Sequence, residues 1–410
     1  MTDKLFKKGR FSFIGGISAS KEPLSTNVMG TSEWKKTRLG VGVKNDQNLQ
    51  FLNMEYIHSD KVKTCKLFGI DGEQFEVNLT DTDKDEVKDK VADFNKITID
   101  LETDFEKKKE YTKLIFKKRN HEFKKEEDKT DEDREKIKEY DAQIKELATN
   151  RITFCHMKDA IIFLNSSLPI LEGKKVRVNG DIKSNFYNGR NSLQYIPNYI
   201  EIVPDDTENQ LKAYIDFFYD KDSIDDDKDL KKMIVNGYIG ERIKKADKLY
   251  PLTVVVDYTK IDESNDLHKA LLEMMKSNFA ITDKKQVHKI GLELNVINGS
   301  PTIEFDESCL TDKQKMAITV GLNKLEDFKP KGNVYGDKVT ELRVAKGDLK
   351  EYPEGAIEVL SVKDLDDYLV RDDSDVSAKD VKKDDKPKAE DRAEEVKTET
   401  PEDMMAKLFG

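Results

Sequence analysis

Cysteine is scarce in this sequence of 410 residues, which contains Cys65, Cys155 and Cys309 and no others. Three isolated thiols form neither a disulfide framework nor a four-ligand zinc site, so we expect free, reduced cysteines. Long apolar runs are absent as well, and without about 18 consecutive apolar residues we expect no membrane-spanning helix. The opening segment MTDKLFKKGRFSFIGG lacks the long apolar core of a secretory signal, which predicts a cytoplasmic protein.

The usual sequence signals of catalysis are missing too. Neither a glycine-rich phosphate loop nor the dinucleotide-binding fingerprint occurs. The five histidines have no metal-ligand spacing. His156 adjoins Cys155, and neighbouring residues on a strand point to opposite sides. The aspartate runs at 225–227 and 366–367 lie in polar segments typical of solvated turns. We therefore expect no enzymatic activity, no cofactor and no bound metal.

Charge is abundant but unevenly placed. The sequence is 37% charged and 37% hydrophobic, with a formal net charge of -11. Residues 1–70 nevertheless carry twelve Lys or Arg and six Asp or Glu, and residues 174–200 carry five basic residues and one acidic residue. Residues 205–230 are acidic, with ten Asp or Glu and three Lys. Since the distribution of charge along the chain matters more than the net charge, the two basic segments are candidates for nucleic-acid contacts.

Alternation of apolar with small or polar residues predicts β-strands in the first half of the chain. The clearest case is LGVGVK at residues 39–44, where every second residue is apolar. Strands are predicted over residues 10–20, 36–45, 49–58, 174–184 and 192–203, with a further pair within 62–79. Asn188-Gly189 is a strong hairpin signal because both residues tolerate positive φ. A helix is predicted over 156–171, ending in a loop at Pro169.

Residues 82–150 differ in character, since they contain neither glycine nor proline and are dominated by Lys and Glu. Their apolar residues recur at helical spacings of three or four positions: Ile137, Tyr140, Ile144 and Leu147. Thr130 followed by Asp133 resembles a helix N-cap with an acidic first turn. We expect a helical insertion whose charged face is solvated.

A second series of elements follows in the same order: strands, then a helix, then a strand hairpin. Strands are predicted over 211–219, 232–243 and 252–261, a helix over 264–278 and a hairpin over 287–298 and 301–305, before a helix at 311–326 and a strand at 338–345. Residues 371–410 have almost no large apolar residue before their last few positions, which predicts a disordered acidic tail.

The segment GKKVRVNGDIKSNFYNGRNSLQYIPNYIEIV resembles the fourth and fifth strands of OB-fold DNA-binding domains, with a basic first strand, a tight turn and an aromatic-rich return. The alternative is an ordinary antiparallel hairpin of any small barrel. The resemblance implies a mainly β fold with an α insertion, built as two OB-like β-barrels. One barrel would occupy residues 1–203, with the helical insertion at 82–150, and the other residues 204–370.

In such a barrel, basic side chains would attract phosphates and aromatic side chains would stack on bases. The predicted DNA-binding residues are of these two types: Arg10, Trp34, Lys35, Lys36, Arg38, Tyr56, Lys183, Phe186, Tyr187, Arg190 and Tyr195. Phe11, Phe13 and Phe51 are assigned to the core, because single aromatic residues on strands usually pack inward. Trp34 is expected in an exposed loop, with core packing as the open alternative.

The organisation of the whole chain is similar to that of bacterial and bacteriophage single-stranded DNA-binding proteins, in which a flexible acidic tail ends in an apolar tip. Here the tip comprises Met404, Met405, Leu408 and Phe409, which would bind replication or recombination proteins. The tail lacks the acidic-Pro-Phe ending of the bacterial proteins, so the identity of the partner stays open. A merely solubilising tail is the alternative.

These features predict sequence-tolerant binding of single-stranded DNA in phage DNA replication or recombination, in the host cytoplasm and away from membranes. The phage assignment follows from the resemblance and from the Lys-, Asp- and Asn-rich composition. Two alternatives stay open: a structural or interaction protein of a virion, and an RNA- or transcription-associated OB-fold factor. Salt-sensitive affinity for oligonucleotides would exclude the first, and comparison of dT with U oligomers would test the second.

Overall fold

The fold is mainly β, with several helices, in the computed structural model of the chain. The structure describes residues 5–46, 48–124, 128–147, 149–243, 246–300, 302–303, 309–329, 334–335, 338–347 and 357–370. The predicted tail, with Met404, Met405, Leu408 and Phe409, lies outside the described residues. Among the helices within these ranges, none is long and apolar enough to cross a membrane.

In the first half of the chain, strands flank a helical segment. The strands are β1 (Arg10–Val28), β2 (Lys35–Asn45), β3 (Asn48–Phe51), β4 (Met54–His58), β5 (Thr64–Phe68), β6 (Gln74–Asn78), β7 (Ile97–Asp100), β8 (Arg151–Phe154), β9 (Lys175–Tyr187) and β10 (Arg190–Ile202). The helices are α1 (Asp85–Lys88), α2 (Phe105–Glu122), α3 (Asp131–Glu146) and α4 (Met157–Leu171). The prediction that α4 gives way to a loop at Pro169 is wrong, because the helix continues through Pro169 to Leu171.

The second half also combines strands with helices. The strands are β11 (Gln210–Tyr219), β12 (Ile224–Asp227), β13 (Lys232–Ile243), β14 (Ala246–Asp257), β15 (Gln286–Gly299), β16 (Thr302–Ile303), β17 (Val334–Tyr335), β18 (Val339–Gly347) and β19 (Ile357–Ser361). The helices are α5 (Asp266–Ser277), α6 (Asp312–Thr319) and α7 (Leu365–Tyr368). The predicted helix at 311–326 therefore ends earlier than expected, and the predicted strand at 252–261 begins earlier.

Five strands of the first half close a ring. β1 pairs antiparallel with β2 on one side and with β9 on the other, while β2 pairs with β4 and β9 with β10. The remaining gap is bridged where the backbone N–H of Asn53 donates to the carbonyl of Tyr195 at 2.7 Å. Helix α4 follows β4 in the chain, precedes β9 and packs against β4. We call this closed set of strands the first ring.

Five strands of the second half close a ring in the same way. β11 pairs with β13 and β15, β13 pairs with β14, and β15 pairs with β18. Closure comes from a parallel contact between β14 and β18, where Val255 lies opposite Arg343. Helix α5 lies between β14 and β15 in the chain. We call this set the second ring.

The two rings share one continuous sheet. The first residues of β1, from Arg10 to Ile14, pair antiparallel with β11 from Gln210 to Tyr214. The described residues, which end at Val370, belong to one compact unit. The predicted division into separate domains at residues 203 and 204 stays a prediction.

Aromatic side chains fill much of the core. Phe11 and Phe13, which were assigned to the core from the sequence, are 2% and 0% exposed. The core assignment of Phe51 is wrong, because its side chain is 47% exposed. Residues that follow each other on a strand point to opposite sides, and here the neighbouring Leu52 is the one that points inward, at 1% exposure.

The predicted helical insertion contains a pair of packed helices, α2 and α3. Thr130 caps α3 in a capping box with Asp133, as its sequence predicts. Asp133 also accepts hydrogen bonds from His121 and Lys124, each at 2.7 Å, which connects the end of α2 to the start of α3. The same segment contributes β7, whose Ile99 is fully buried in the main core.

Candidate nucleic-acid interface

The outer surface of β2 carries a row of basic side chains. Alternate residues of the strand point inward, and Leu39, Val41 and Val43 are fully buried. The intervening residues point outward, and among them Arg38 and Lys44 are exposed while Lys36 is half-buried. Glycines at positions 40 and 42 separate the cations, so the middle of this surface has no side chain of its own.

Neighbouring strands complete this surface with two different chemistries. Residues directly opposite each other across paired strands point to the same side of the sheet. Small polar residues of β1 lie opposite the outward residues of β2: Ser18, Ser25 and Asn27. The other flank has the apolar residues Phe51 of β3 and Ile57 of β4, with the acidic Glu55 of β4 opposite Arg38. Together with Lys36, Arg38 and Lys44, the residues on these two flanks are called the β2 face: Ser18, Ser25, Asn27, Phe51, Glu55 and Ile57.

Phe51 occupies an open position on the β2 face. It lies opposite Gly42, and a Cβ atom at Gly42 would approach the backbone oxygen of Gln50 to 2.7 Å. The glycine therefore permits the close approach of β2 and β3. A half-exposed aromatic ring between basic residues is the arrangement that stacks on unpaired bases.

The cations of the β2 face differ in how far they are neutralised. Arg38 and Lys44 have no ion-pair partner among the described residues, whereas Lys36 lies 3.2 Å from Glu55. Lys35, at the end of the strand, forms a 2.7 Å ion pair with Asp60, and this hydrogen bond lowers the pKa of the Asp60 carboxyl. Arg38 and Lys44 are therefore the cations best placed to attract phosphates.

Trp34 lies at one end of the β2 face. It belongs to the loop between β1 and β2, where its carbonyl accepts a 2.8 Å hydrogen bond from the N–H of Met29. The indole is 39% exposed, in agreement with the expected loop position. Its loop is held to the segment after β4 by an ion pair between Glu33 and Lys61. A base could reach the indole without any rearrangement of the core.

The turn between β9 and β10 lies at the opposite end. Asn188 and Gly189 have φ values of 49° and 71°, which confirms the predicted hairpin turn. Tyr187 is 73% exposed, and Arg190 is exposed with no partner among the described residues. The residues that follow Arg190 line a groove together with Gln50. Gln50 marks this end of the β2 face, and His58 marks the end beside Trp34. The two residues are eight positions apart, so the face spans roughly 25 Å along the extended chain.

Other predicted site residues lie away from the β2 face. Tyr195 is 4% exposed and packs against Phe13 with ring centroids 4.9 Å apart, so neither face of its ring is open to a base. This burial also raises the pKa of its phenol. We therefore reassign Tyr195 to the core. Phe186 is half-buried, with its ring centroid 6.3 Å from that of Tyr250.

The three remaining predicted residues are Arg10, Lys183 and Tyr56. Arg10 is exposed where β1 pairs with β9 and β11, outside the part of β1 that pairs with β2. Lys183 is exposed on β9 and lines a separate cavity near Glu241. Tyr56 is half-buried, and its ring centroid lies 4.9 Å from that of His58. The structure thus brings together Lys36 and Arg38 on one face, with Trp34 and the hairpin at its ends.

The aromatic ring and one of the cations that carry the proposed contacts, Phe51 and Lys44, were missed from the sequence. The alternation that placed Leu39, Val41 and Val43 in the core also places Lys44 outside, so that signal was present. Phe51 could not be placed in the same way, because its strand is only four residues long. Its direction follows from its pairing with Gly42.

The corresponding surface of the second ring is different. The outward residues of β13 include Ile234, Asn236 and Tyr238, and the side-chain Oδ1 of Asn236 accepts a 2.8 Å hydrogen bond from the Thr253 hydroxyl. Lys232 on the same strand forms a 2.6 Å ion pair with Glu341. The combination of unpaired basic side chains with an exposed aromatic ring, as on the β2 face, is therefore not repeated among these residues of the second ring.

Within the part of the chain that the structure describes, no group of three His, Cys, Asp or Glu residues is arranged to hold a metal ion. No family model matches the chain, and a search of curated proteins finds no match. Among solved structures, the chain is similar to a deletion mutant of the single-stranded DNA-binding protein from Thermus aquaticus. Identity is 7% and the TM-score is 0.28, over 84% of this chain and 94% of that one. Because this identity and TM-score are low, the function is inferred from the residues of the site and not from this similarity.

Proposed function

We propose that the chain binds single-stranded DNA on the β2 face, with little dependence on sequence. The observation that supports this is the exposed ring of Phe51 beside Arg38 and Lys44, two cations without partners among the described residues. Trp34 and Tyr187 extend the surface at its two ends. Cations would follow the phosphates, and aromatic rings would stack on bases, which every base allows. Duplex DNA would bind weakly because its bases are already stacked.

The two rings support this proposal as OB-like barrels. The strands join around the first ring in the order β1, β2, β4, β10, β9, and around the second ring in the order β11, β13, β14, β18, β15. If the five strands of a ring are counted along the chain, both orders are first, second, third, fifth, fourth. In both rings a helix lies between the third and fourth strands in the chain. An OB-fold is a five-stranded barrel that binds oligonucleotides across its second and third strands and the adjacent loops. β2, β3 and β4 occupy that position in the first ring. Trp34 and Tyr187 belong to the loops that flank it.

The wider role that we propose is in phage DNA replication or recombination, in the host cytoplasm and without a catalytic step. The residues around the β2 face are suited to holding a strand, with no nucleophile or metal group needed. The tail at 371–410, through Met404, Met405, Leu408 and Phe409, would recruit replication or recombination proteins.

The experiment is a salt titration of oligo-dT binding by fluorescence anisotropy, with the double variant Arg38→Ala/Lys44→Ala. Each phosphate contact contributes about -0.7 to the slope of log affinity against log salt for single strands, so the slope should flatten by about 1.4. The matched control is Lys66→Ala/Lys174→Ala, which removes the same charge from exposed positions outside the β2 face. Equal slopes for the two double variants would contradict the proposed site.

A further inference from the structure

A groove of about 620 Å³ lies between the two rings. One wall is the start of β10, from Arg190 to Leu193, and the other walls are β14, β15 and β18. Gln50 of β3 completes the lining. The volume falls within the range of about 300–1,000 Å³ that is usual for pockets that bind small molecules.

The walls of the groove combine aliphatic and polar residues. The half-buried aliphatic residues of the lining are Leu193, Pro251, Leu252, Ile297 and Leu342. Two charged residues of the lining, Glu341 and Arg190, differ in whether they are already paired within the protein. Glu341 forms ion pairs with Lys232 at 2.6 Å and Arg343 at 2.7 Å, so its charge is neutralised within the protein. Arg190 has no partner among the described residues, which leaves a net attraction for an anion at this wall.

One polar group of the lining has unused hydrogen-bonding capacity. The Oδ1 atom of Asn191 is buried and accepts no hydrogen bond from the described residues. Its amide nitrogen makes a long contact of 3.4 Å with Ser184. A buried polar atom without a partner carries a desolvation cost, and a rotation of the Asn191 side chain toward a ligand with a polar edge would relieve it.

The groove opens beside the hairpin between β9 and β10, since Gly189 and Arg190 of that hairpin belong to its lining. A strand that extends from Phe51 to this hairpin therefore lies next to the groove.

Building on the proposed DNA binding, we propose that the groove accepts one unstacked nucleobase of the bound strand. A base has flat apolar faces that suit the aliphatic residues of the walls and a polar edge that suits the Asn191 amide. Its phosphate would lie near Arg190. Insertion of the base would place the strand in contact with both rings at once, since β14, β15 and β18 belong to the second ring and β10 to the first.

The test is an abasic-site scan with the full chain. The probe is a dT oligomer of the minimal length that binds tightly, with one abasic position moved along it. Abasic positions that lie over Phe51, Trp34 and Tyr187 should weaken binding. We expect an abasic site at one further internal position to weaken binding about 5- to 150-fold, which corresponds to the loss of one base contact. In Ile297→Ala and Asn191→Leu, the penalty at that position should shrink, and binding of the intact oligomer should weaken about fivefold or more.

Matched controls separate the groove from general damage. Ile234→Ala removes another half-buried isoleucine of the second ring, and Asn179→Leu removes another asparagine whose Oδ1 is buried and unpaired. Both lie outside the groove lining and should bind like the wild type. If the groove variants bind like these controls while the wild type binds DNA tightly, the groove does not hold a base. Absence of DNA binding by the wild type would instead contradict the proposed function itself.

Discussion

Replacement of Phe51 with alanine should weaken binding of single-stranded DNA without unfolding the protein. The ring lies on the β2 face opposite Gly42 and is 47% exposed. Stacking of one base on an aromatic side chain contributes about 1–3 kcal/mol, so the dissociation constant should rise about 5- to 150-fold. Complete burial of a phenylalanine side chain contributes about 1.5–3 kcal/mol to stability, and a half-exposed ring about half of that. The folded state should therefore persist.

The assay is fluorescence anisotropy with labelled oligo-dT, accompanied by thermal unfolding of each variant. Phe51→Tyr should keep most of the affinity because it keeps a ring. Phe94→Ala removes a ring that is 67% exposed outside the β2 face and should leave the affinity unchanged. Wild-type affinity in Phe51→Ala, or an equal loss in Phe94→Ala, would refute the assignment of Phe51 as a stacking platform.

Four further predictions follow from the same structure. Trp34→Ala and Tyr187→Ala should each weaken DNA binding about 5- to 150-fold at unchanged melting temperature, since both side chains are exposed; loss of the thermal transition would show that the residue is structural. Replacement of residues 105–146 by a short linker should leave a folded DNA-binding protein, because this cut spares β7 and its buried Ile99; collapse, seen by circular dichroism, would show that the helices belong to the core. Hydrogen bonds from Lys124, His121 and Thr130 hold the pKa of Asp133 below its usual value near 3.8. A group with a lowered folded pKa stabilises at pH above its unfolded value and loses that contribution as the pH falls through the folded value; Asp133→Asn should therefore reduce the melting temperature at pH 7 and less so below pH 3, and a pH-independent effect would contradict this. Truncation at residue 371 should raise DNA affinity at low salt by removing a competing acidic segment, and should abolish capture of replication or recombination proteins; lower DNA affinity after truncation, or no partner for the tail, would leave it a solubilising segment.

Local patterns predicted most strands and helices because their physical causes are local. Alternation of apolar residues identified β2, and two residues that tolerate positive φ identified the turn between β9 and β10. The capping box at Thr130 likewise depends on residues within one helical turn. These are interactions that a short segment makes by itself.

Ring closure and the composition of the site depend on contacts between distant segments. The hydrogen bond from Asn53 to Tyr195, and the pairing of Val255 with Arg343, join residues that no local pattern connects. The same dependence on distant contacts explains two wrong predictions. Tyr195 was expected to contact DNA and is buried, whereas Phe51 was expected in the core and is exposed. Tyr195 lies in an aromatic-rich strand whose inward side is set by packing against Phe13, and the exposure of Phe51 is set by its partner Gly42.

The central claim is that the β2 face holds an unpaired DNA strand. The most direct measurement compares the affinity of the full chain for oligo-dT and for a duplex of equal length, at several salt concentrations, with the fluorescence of Trp34 as the signal. We predict that single strands bind at least about tenfold more tightly than duplex, that binding weakens steeply with salt, and that the indole emission changes on binding. Equal affinity for the two forms, or an affinity for single strands that is insensitive to salt, would contradict the account.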